Sequence, residues 1–203
     1  MPTLRPDITV VTANTWEPVT LEEARLWTRA DPDDTSQDAM LLELIQAARE
    51  RAEDLTGMSL VRQTLRWSID KFPASDLPLE IPWPPLISVT SITYMDSSGD
   101  WQALAGSPDQ WILNTAAMPA KITPLYGESW PDVRDRSGNV QIEFVCGYAA
   151  AAQVPARAKL WMRKKITDWD CDRETISPKA YVQLPRGDVD GLLDTLRFSA
   201  FFA

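Results

Sequence analysis

The side chains in this 203-residue chain that could most readily do chemistry are its 29 carboxylates, set against 20 lysines and arginines and no histidine. Two groups stand close together: Asp31, Asp33 and Asp34, and Glu50, Glu53 and Asp54. Paired carboxylates can divide the acid and base roles of a hydrolysis. Here the first group has the spacing of a polar turn and the second that of a solvated helix face, and this is the stronger reading. Asp31 to Asp38 also lacks the central glycine and closing glutamate of a calcium loop. Without histidine the commonest general base and metal ligand is missing, and so are the serine and cysteine triads built on an imidazole. Cys146 and Cys171 have no CxxC spacing and read as buried free thiols rather than a disulfide or zinc site. No P-loop, GxGxxG or GxSxG pattern occurs. The residue types argue against an enzyme, and they assign no catalytic group, metal or cofactor.

Three features could serve binding instead. Arg157, Lys159, Arg163, Lys164, Lys165 and Arg173 gather on or near one helical segment of an otherwise acidic chain. They read first as a solvated face balanced by Asp168, Asp170 and Asp172, then as a dock for an acidic partner, and last as a phosphate contact. Trp16, Trp67, Trp83, Trp101, Trp111 and Trp130 could form a sugar-binding platform, although large aromatics also fill small sheet cores. Phe198, Phe201 and Phe202 near the C-terminus would be a liability if exposed, so they either tuck back onto their own subunit or insert into a neighbour.

The elements that must position these residues follow from periodicity. Thr20-Leu21-Glu22-Glu23 is a capping box opening a short helix that Asp31-Pro32 closes. Leu41, Ile45, Ala48, Ala52 and Leu55 mark the apolar stripe of a second helix running from Asp38 to a stop at Gly57, with Glu43, Arg49, Glu50, Glu53 and Asp54 on its surface. From Gln63 the period changes to two. Strands are predicted at Leu65 to Ile69, Ile87 to Tyr94, Trp101 to Leu104, around Trp111 to Leu113 and Ala120 to Ile122, and at Val140 to Cys146. Nine prolines from Pro73 to Pro131 keep this middle out of long helices. Helix returns at Pro155, with Ala158, Trp161, Met162, Ile166 and Trp169 along one side. A last helix is predicted from Asp188 through Leu192, Leu193 and Leu196.

Charge and hydropathy narrow the setting. Acidic side chains outnumber basic ones by 12 to 5 over residues 1–60, and the balance reverses to 9 basic against 7 acidic over residues 151–203. A net charge of −9 repels nucleic-acid phosphates. No segment reads as a signal peptide, and the longest low-polarity run, Phe144 to Ala152, is too short to span a membrane. The expectation is a protein made and kept in the cytoplasm unless a larger assembly carries it out.

In order and spacing, several segments together resemble phage head–tail connector proteins, also called adaptor or head-completion proteins. They are Glu17-Pro18-Val19-Thr20-Leu21-Glu22-Glu23-Ala24; Ala47 to Glu53 running into Thr56-Gly57; Gln63-Thr64-Leu65; and Ile81-Pro82-Trp83-Pro84-Pro85-Leu86 before Val89-Thr90-Ser91-Ile92. Ile142-Glu143-Phe144, Gly147-Tyr148, Val154-Pro155 and Leu192-Leu193 to Arg197 complete the series, which covers roughly residues 16 to 197. The resemblance implies packed helices with a β-rich insertion, and a homo-oligomeric ring, typically of twelve subunits, beneath the portal protein of a phage or gene-transfer-agent particle. Such a ring extends the DNA channel and presents its far side to a stopper or tail-terminator protein. It brings no catalytic residues.

The resulting expectation is an α+β fold: a helical bundle formed by residues 1–59 and 150–203, with a small antiparallel β unit, 60–149, inserted. Leu41, Ile45, Trp161 and Ile166 should share the helical core. Arg157, Arg163, Lys164, Arg197, Phe198, Phe201 and Phe202 should meet the portal. Glu43, Glu50, Glu53 and Asp54 should face the channel, along which DNA slides without sequence readout. The competing reading is a tryptophan-rich carbohydrate- or receptor-binding tail module.

Overall fold

The computed structural model describes residues 8–31, 34–74, 76–171 and 191–197. The chain divides into two compact units, Met1–Asn14 with Arg62–Tyr148 and Thr15–Val61 with Ala149–Ala203.

The first unit is built on strand alternation. Strand β8 (Val140–Cys146) buries every second side chain completely: Val140, Ile142, Phe144 and Cys146. It pairs along its whole length with β2 (Gln63–Ile69) on one side and with β4 (Leu86–Met95) on the other. Strand β1 (Ile8–Thr12) adds beyond β2, and β5 (Trp101–Leu104) beyond β4. The result is a five-stranded sheet in the order β1-β2-β8-β4-β5, antiparallel throughout. A second antiparallel sheet runs β3 (Leu79–Glu80), β7 (Lys121–Pro124), β6 (Trp111–Asn114). Both sheets feed one core, in which Leu65, Ile92 and Phe144 of the larger sheet meet Leu79, Trp111 and Ile122 of the smaller. Burying such side chains is worth about 1.5–3 kcal/mol each.

The second unit contains α1 (Leu21–Thr28), α2 (Asp38–Thr56), a 3-10 turn at Ala151–Gln153 and α3 (Ala156–Cys171). A helical turn at residues 191–194 follows. The capping box forms: the Thr20 hydroxyl accepts the Glu23 N–H at 3.2 Å and the Glu23 carboxylate accepts the Thr20 N–H at 3.1 Å. Gly57 closes α2 in the left-handed region at φ 68°, where its N–H reaches the Glu53 carbonyl at 2.8 Å. Leu41, Ile45, Trp161 and Ile166 are all fully buried, and so is Leu193.

The expected helical bundle with a small inserted β unit is overturned. Among the described residues strands outnumber helices, eight in two antiparallel sheets against α1, α2, α3 and two short helical turns. Two physical reasons account for the difference. The segment around Val10 and Val11 is a fifth strand of the large sheet, and the proline-rich stretch before Pro82 contributes β3 rather than a loop alone. Proline sits comfortably at strand ends, as Pro124 does at the end of β7, so a high proline count limits helix but leaves strand open.

Carboxylates fasten the turns of the β unit. The Asp70 carboxylate, just past β2, accepts the Gly138 N–H and the Ser137 hydroxyl, each at 2.8 Å. Asp96 accepts the N–H groups of Ser98, Gly99 and Asp100 within the β4–β5 hairpin, and the Gln102 side-chain amide at 2.9 Å. The Gly138 N–H, with the Ser137 hydroxyl, holds the Asp70 carboxyl below its ordinary value of 3.8, and the Gln102 amide with the hairpin N–H groups does the same for Asp96. A carboxyl depressed on folding contributes stability that is present above its unfolded value and is lost as pH falls through the folded one. Thermal stability should therefore fall as the pH drops below about 4, and Asp70→Asn together with Asp96→Asn should flatten that fall while lowering the melting temperature at pH 7. Melting curves recorded from neutral to strongly acid pH check both; an unchanged acid slope contradicts this role.

Candidate functional site

A cluster of charged side chains on α2 is partly buried. Arg49 is 6% exposed and Glu53 2%. Arg49 Nη1 meets Glu53 Oε2 at 2.8 Å, Arg49 Nε meets Glu17 Oε2 at 2.9 Å, and Glu53 Oε1 accepts the Leu60 N–H at 2.8 Å. One guanidinium thus joins the segment before α1 to α2, and one carboxylate joins α2 to the segment after it. Their chemical type suggests a surface position, but they lie at i and i+4 beside the buried stripe of Ala48 and Ala52, where the flanking segments close over them. Glu53, expected to face a channel, is instead consumed inside the helical unit.

The remaining members of that set lie on the outer side of α2. Glu43, Glu50 and Asp54 are exposed and spaced by seven and four residues, which puts them on one stripe away from Leu41 and Ile45. Glu50 accepts the Gln46 side-chain amide at 2.9 Å. Elsewhere in the unit Arg25 forms a bidentate pair with Asp38, with Nε to Oδ1 at 2.8 Å and Nη2 to Oδ2 at 2.6 Å, joining α1 to the start of α2. This contact was not foreseen, although arginine and aspartate at the facing ends of successive helices are a signal that could have suggested it.

The basic set separates by environment. Arg163 turns inward to Glu23, which ties α3 to α1, and Lys165 lies 3.4 Å from Asp168. Arg157 is exposed and donates to the Thr195 hydroxyl; Lys164 is exposed; Arg197 is exposed and 3.2 Å from Asp194. Arg173, Phe198, Phe201 and Phe202 lie outside the described residues. Of the two thiols expected to be buried, Cys146 is buried in the β core and Cys171 is exposed at the end of α3.

Of the six tryptophans that could form a platform, four converge on the β core rather than on a surface. Trp111 and Trp130 are core residues at 4% and 8% exposure, Trp67 and Trp83 pack against the same core, and Trp101 is half exposed on β5. Trp130 stacks on Phe72 with ring centroids 4.8 Å apart, and its Nε1 donates to the Leu77 carbonyl at 2.9 Å. A cleft of about 420 Å³ in the β unit is lined by Tyr94, Gln102, Asp109, Glu128 and Trp130 among others. Among the described residues no group of three or more His, Cys, Asp or Glu is placed to hold a metal ion, and no helix is long and apolar enough to cross a membrane.

No protein-family model matches the chain, and no curated protein matches it. Solved structures do. A chain in the neck of an empty gene-transfer-agent particle, computed with C6 symmetry, and one in the virion of the native particle each superpose with a TM-score of 0.75. A chain in the neck of the native particle, computed with C12 symmetry, gives 0.71. Each is 22% identical to this chain, and each match covers 94% of both chains. The fold is shared with a chain of gene-transfer-agent particles. A match over almost the whole of both partners includes the strands and the helices together.

The buried Arg49–Glu53 pair generates a prediction. Glu53→Leu takes one carboxylate from the guanidinium, which keeps Glu17, and leaves the Leu60 N–H without its acceptor, and should cost about 1–3 kcal/mol. The double replacement Arg49→Met with Glu53→Leu should cost clearly less than Arg49→Met alone and Glu53→Leu alone added together. Urea unfolding of the four proteins measures the coupling; simple additivity would contradict the clamp.

Proposed function

We propose that this chain is a structural, non-enzymatic subunit of the neck of a tailed-phage or gene-transfer-agent particle, acting at the head–tail interface as a connector. The observation that carries the reading is the fold shared over 94% of both chains with a chain of gene-transfer-agent neck structures. The absence of histidine and the lack of any nucleophile–base pattern in the sequence agree with a structural role.

In this reading copies of the chain form a ring beneath the portal, twelve in the symmetry of one matching neck. Glu43, Glu50 and Asp54 on α2 face the lumen. Carboxylates there repel phosphates and displace no counterions from the passing DNA, so the duplex slides without sticking. Arg157, Lys164 and Arg197, with Phe198, Phe201 and Phe202, form the portal-facing side, and the opposite side receives a stopper or tail-terminator protein. The tryptophans act as scaffold, a reading that the burial of Trp111 and Trp130 in the β core supports.

Deleting the gene should leave filled heads and free tails that do not join, and supplying the full chain should restore joined particles. A chain lacking residues 198–203 should restore joining at least tenfold less well. Joined particles in the absence of the chain overturn the proposed function; full restoration by the shortened chain removes the tail from the portal-facing side and leaves the rest standing. Electron micrographs of lysates read both outcomes.

A further inference from the structure

Within the described residues the five-stranded sheet ends in two edges with neither charge nor proline in the strand, although β1 carries one register irregularity between Val10 and Thr12. Strand β1 reads Ile-Thr-Val-Val-Thr and β5 reads Trp-Gln-Ala-Leu, with no lysine, proline or acidic residue within either strand. Val10 is 50% exposed, Val11 46% and Trp101 48%. An edge strand presents a row of unpaired N–H and C=O groups, and proteins that keep such an edge free blunt it with charge, proline, extreme shortness or bulges, of which β1 has only the single bulge after Val10. The β3 edge of the smaller sheet is handled that way: it is two residues long, and Glu80 is paired with Lys121 at 2.9 Å. At β1 the exposed residues are β-branched, the type that packs best on a pleated surface.

We infer that the β5 edge of one subunit pairs with the β1 edge of the next, so that the five-stranded sheets run on from copy to copy around the ring. The inference rests on the ring proposed above and names the contact that builds it. A ring requires a heterologous contact, in which two different patches of the same chain fit each other and the rotation between neighbours closes. The two open edges of one sheet are such patches. They are similar in length, five residues and four. Four antiparallel steps separate them, through β2, β8 and β4, so β1 and β5 run in the same direction. A neighbour related by rotation about an axis along the strands therefore brings its β1 alongside β5 as a parallel partner. Backbone hydrogen bonds supply the adhesion, and Val10, Val11 and Trp101 supply apolar side chains flanking the new seam. Pairing of β1 with β1 of a second copy would instead be isologous, giving a dimer that cannot grow into a ring.

Cross-linking in particles tests this. In a Cys171→Ser background, one chain carries Val10→Cys or Val11→Cys and a second carries Gln102→Cys or Ala103→Cys; the pairs of positions sample both faces of the seam. Particles containing both chains should give disulfide-linked dimers under mild oxidation, and a single chain carrying both cysteines should give a ladder extending to ring size. Val11→Pro, which removes a donor from the β1 edge, should lower incorporation into particles at least tenfold while the purified chain keeps its far-ultraviolet circular dichroism. Dimers formed by the β1 variants alone would show isologous pairing and overturn the inference. So would cross-links that require Ile112→Cys on the half-exposed β6 edge in place of β5, or particles that contain the chain and yield no cross-link at any pair. A chain absent from purified particles sinks the connector reading itself, a result distinguishable from the others by blotting.

Discussion

Strand β8 is the constraint on which the β unit depends. Residues 8 to 146 supply five strands to one sheet, and β8, the last of them in sequence, occupies its centre. Until it pairs with β2 and β4 there is no sheet, only a β1–β2 ladder and a β4–β5 hairpin. Its four inward side chains are wholly buried, and a shift of one residue would turn all four outward. That penalty sets the register of β8, and pairing sets that of β2 and β4 in turn. The outer positions of β1 and β5, and hence the two open edges, are consequences of the same choice.

The helical unit obeys a different constraint, in which charge is used inside as well as outside. Arg49, Glu17 and Glu53 bind the segments flanking α1 and α2, and Arg25–Asp38 and Arg163–Glu23 bind helix to helix. Buried pairs of this kind add little net stability over apolar packing, but they penalise any arrangement that leaves one partner alone. With those carboxylates occupied internally, the acidic surface of α2 reduces to Glu43, Glu50 and Asp54. This is why α2 can be rich in acid and yet present only a narrow acidic stripe.

Much of this could be read from the residues alone, where local pattern and tertiary environment agree. The capping box at Thr20, the stop at Gly57 and the alternation of Val140 to Cys146 are local signals, and each element formed where its signal lay. Strand β1 was not legible, because an edge strand with exposed faces shows no contrast between buried and polar positions. Strand β3 has two residues, too few for any period. With those two strands missed, the β part looked like a small insertion. The burial of Arg49 and Glu53 was hidden for the opposite reason: their type points outward, and only the return of Glu17 and Leu60 over α2 reverses it. The assignment of candidate surfaces inherits that error at Glu53, whereas Arg157, Lys164, Glu43, Glu50 and Asp54 are exposed as a surface role requires.

A neck ring has a fixed number of subunits per particle, and no enzyme or loosely held accessory protein is bound to that rule. Quantitative mass spectrometry of purified particles, with isotope-labelled peptides of this chain and of the portal, measures the ratio directly. The account predicts a constant copy number equal to that of the portal ring, unchanged by salt washing. A ratio that varies between preparations, or copies counted in the hundreds as for a shell protein, would contradict it.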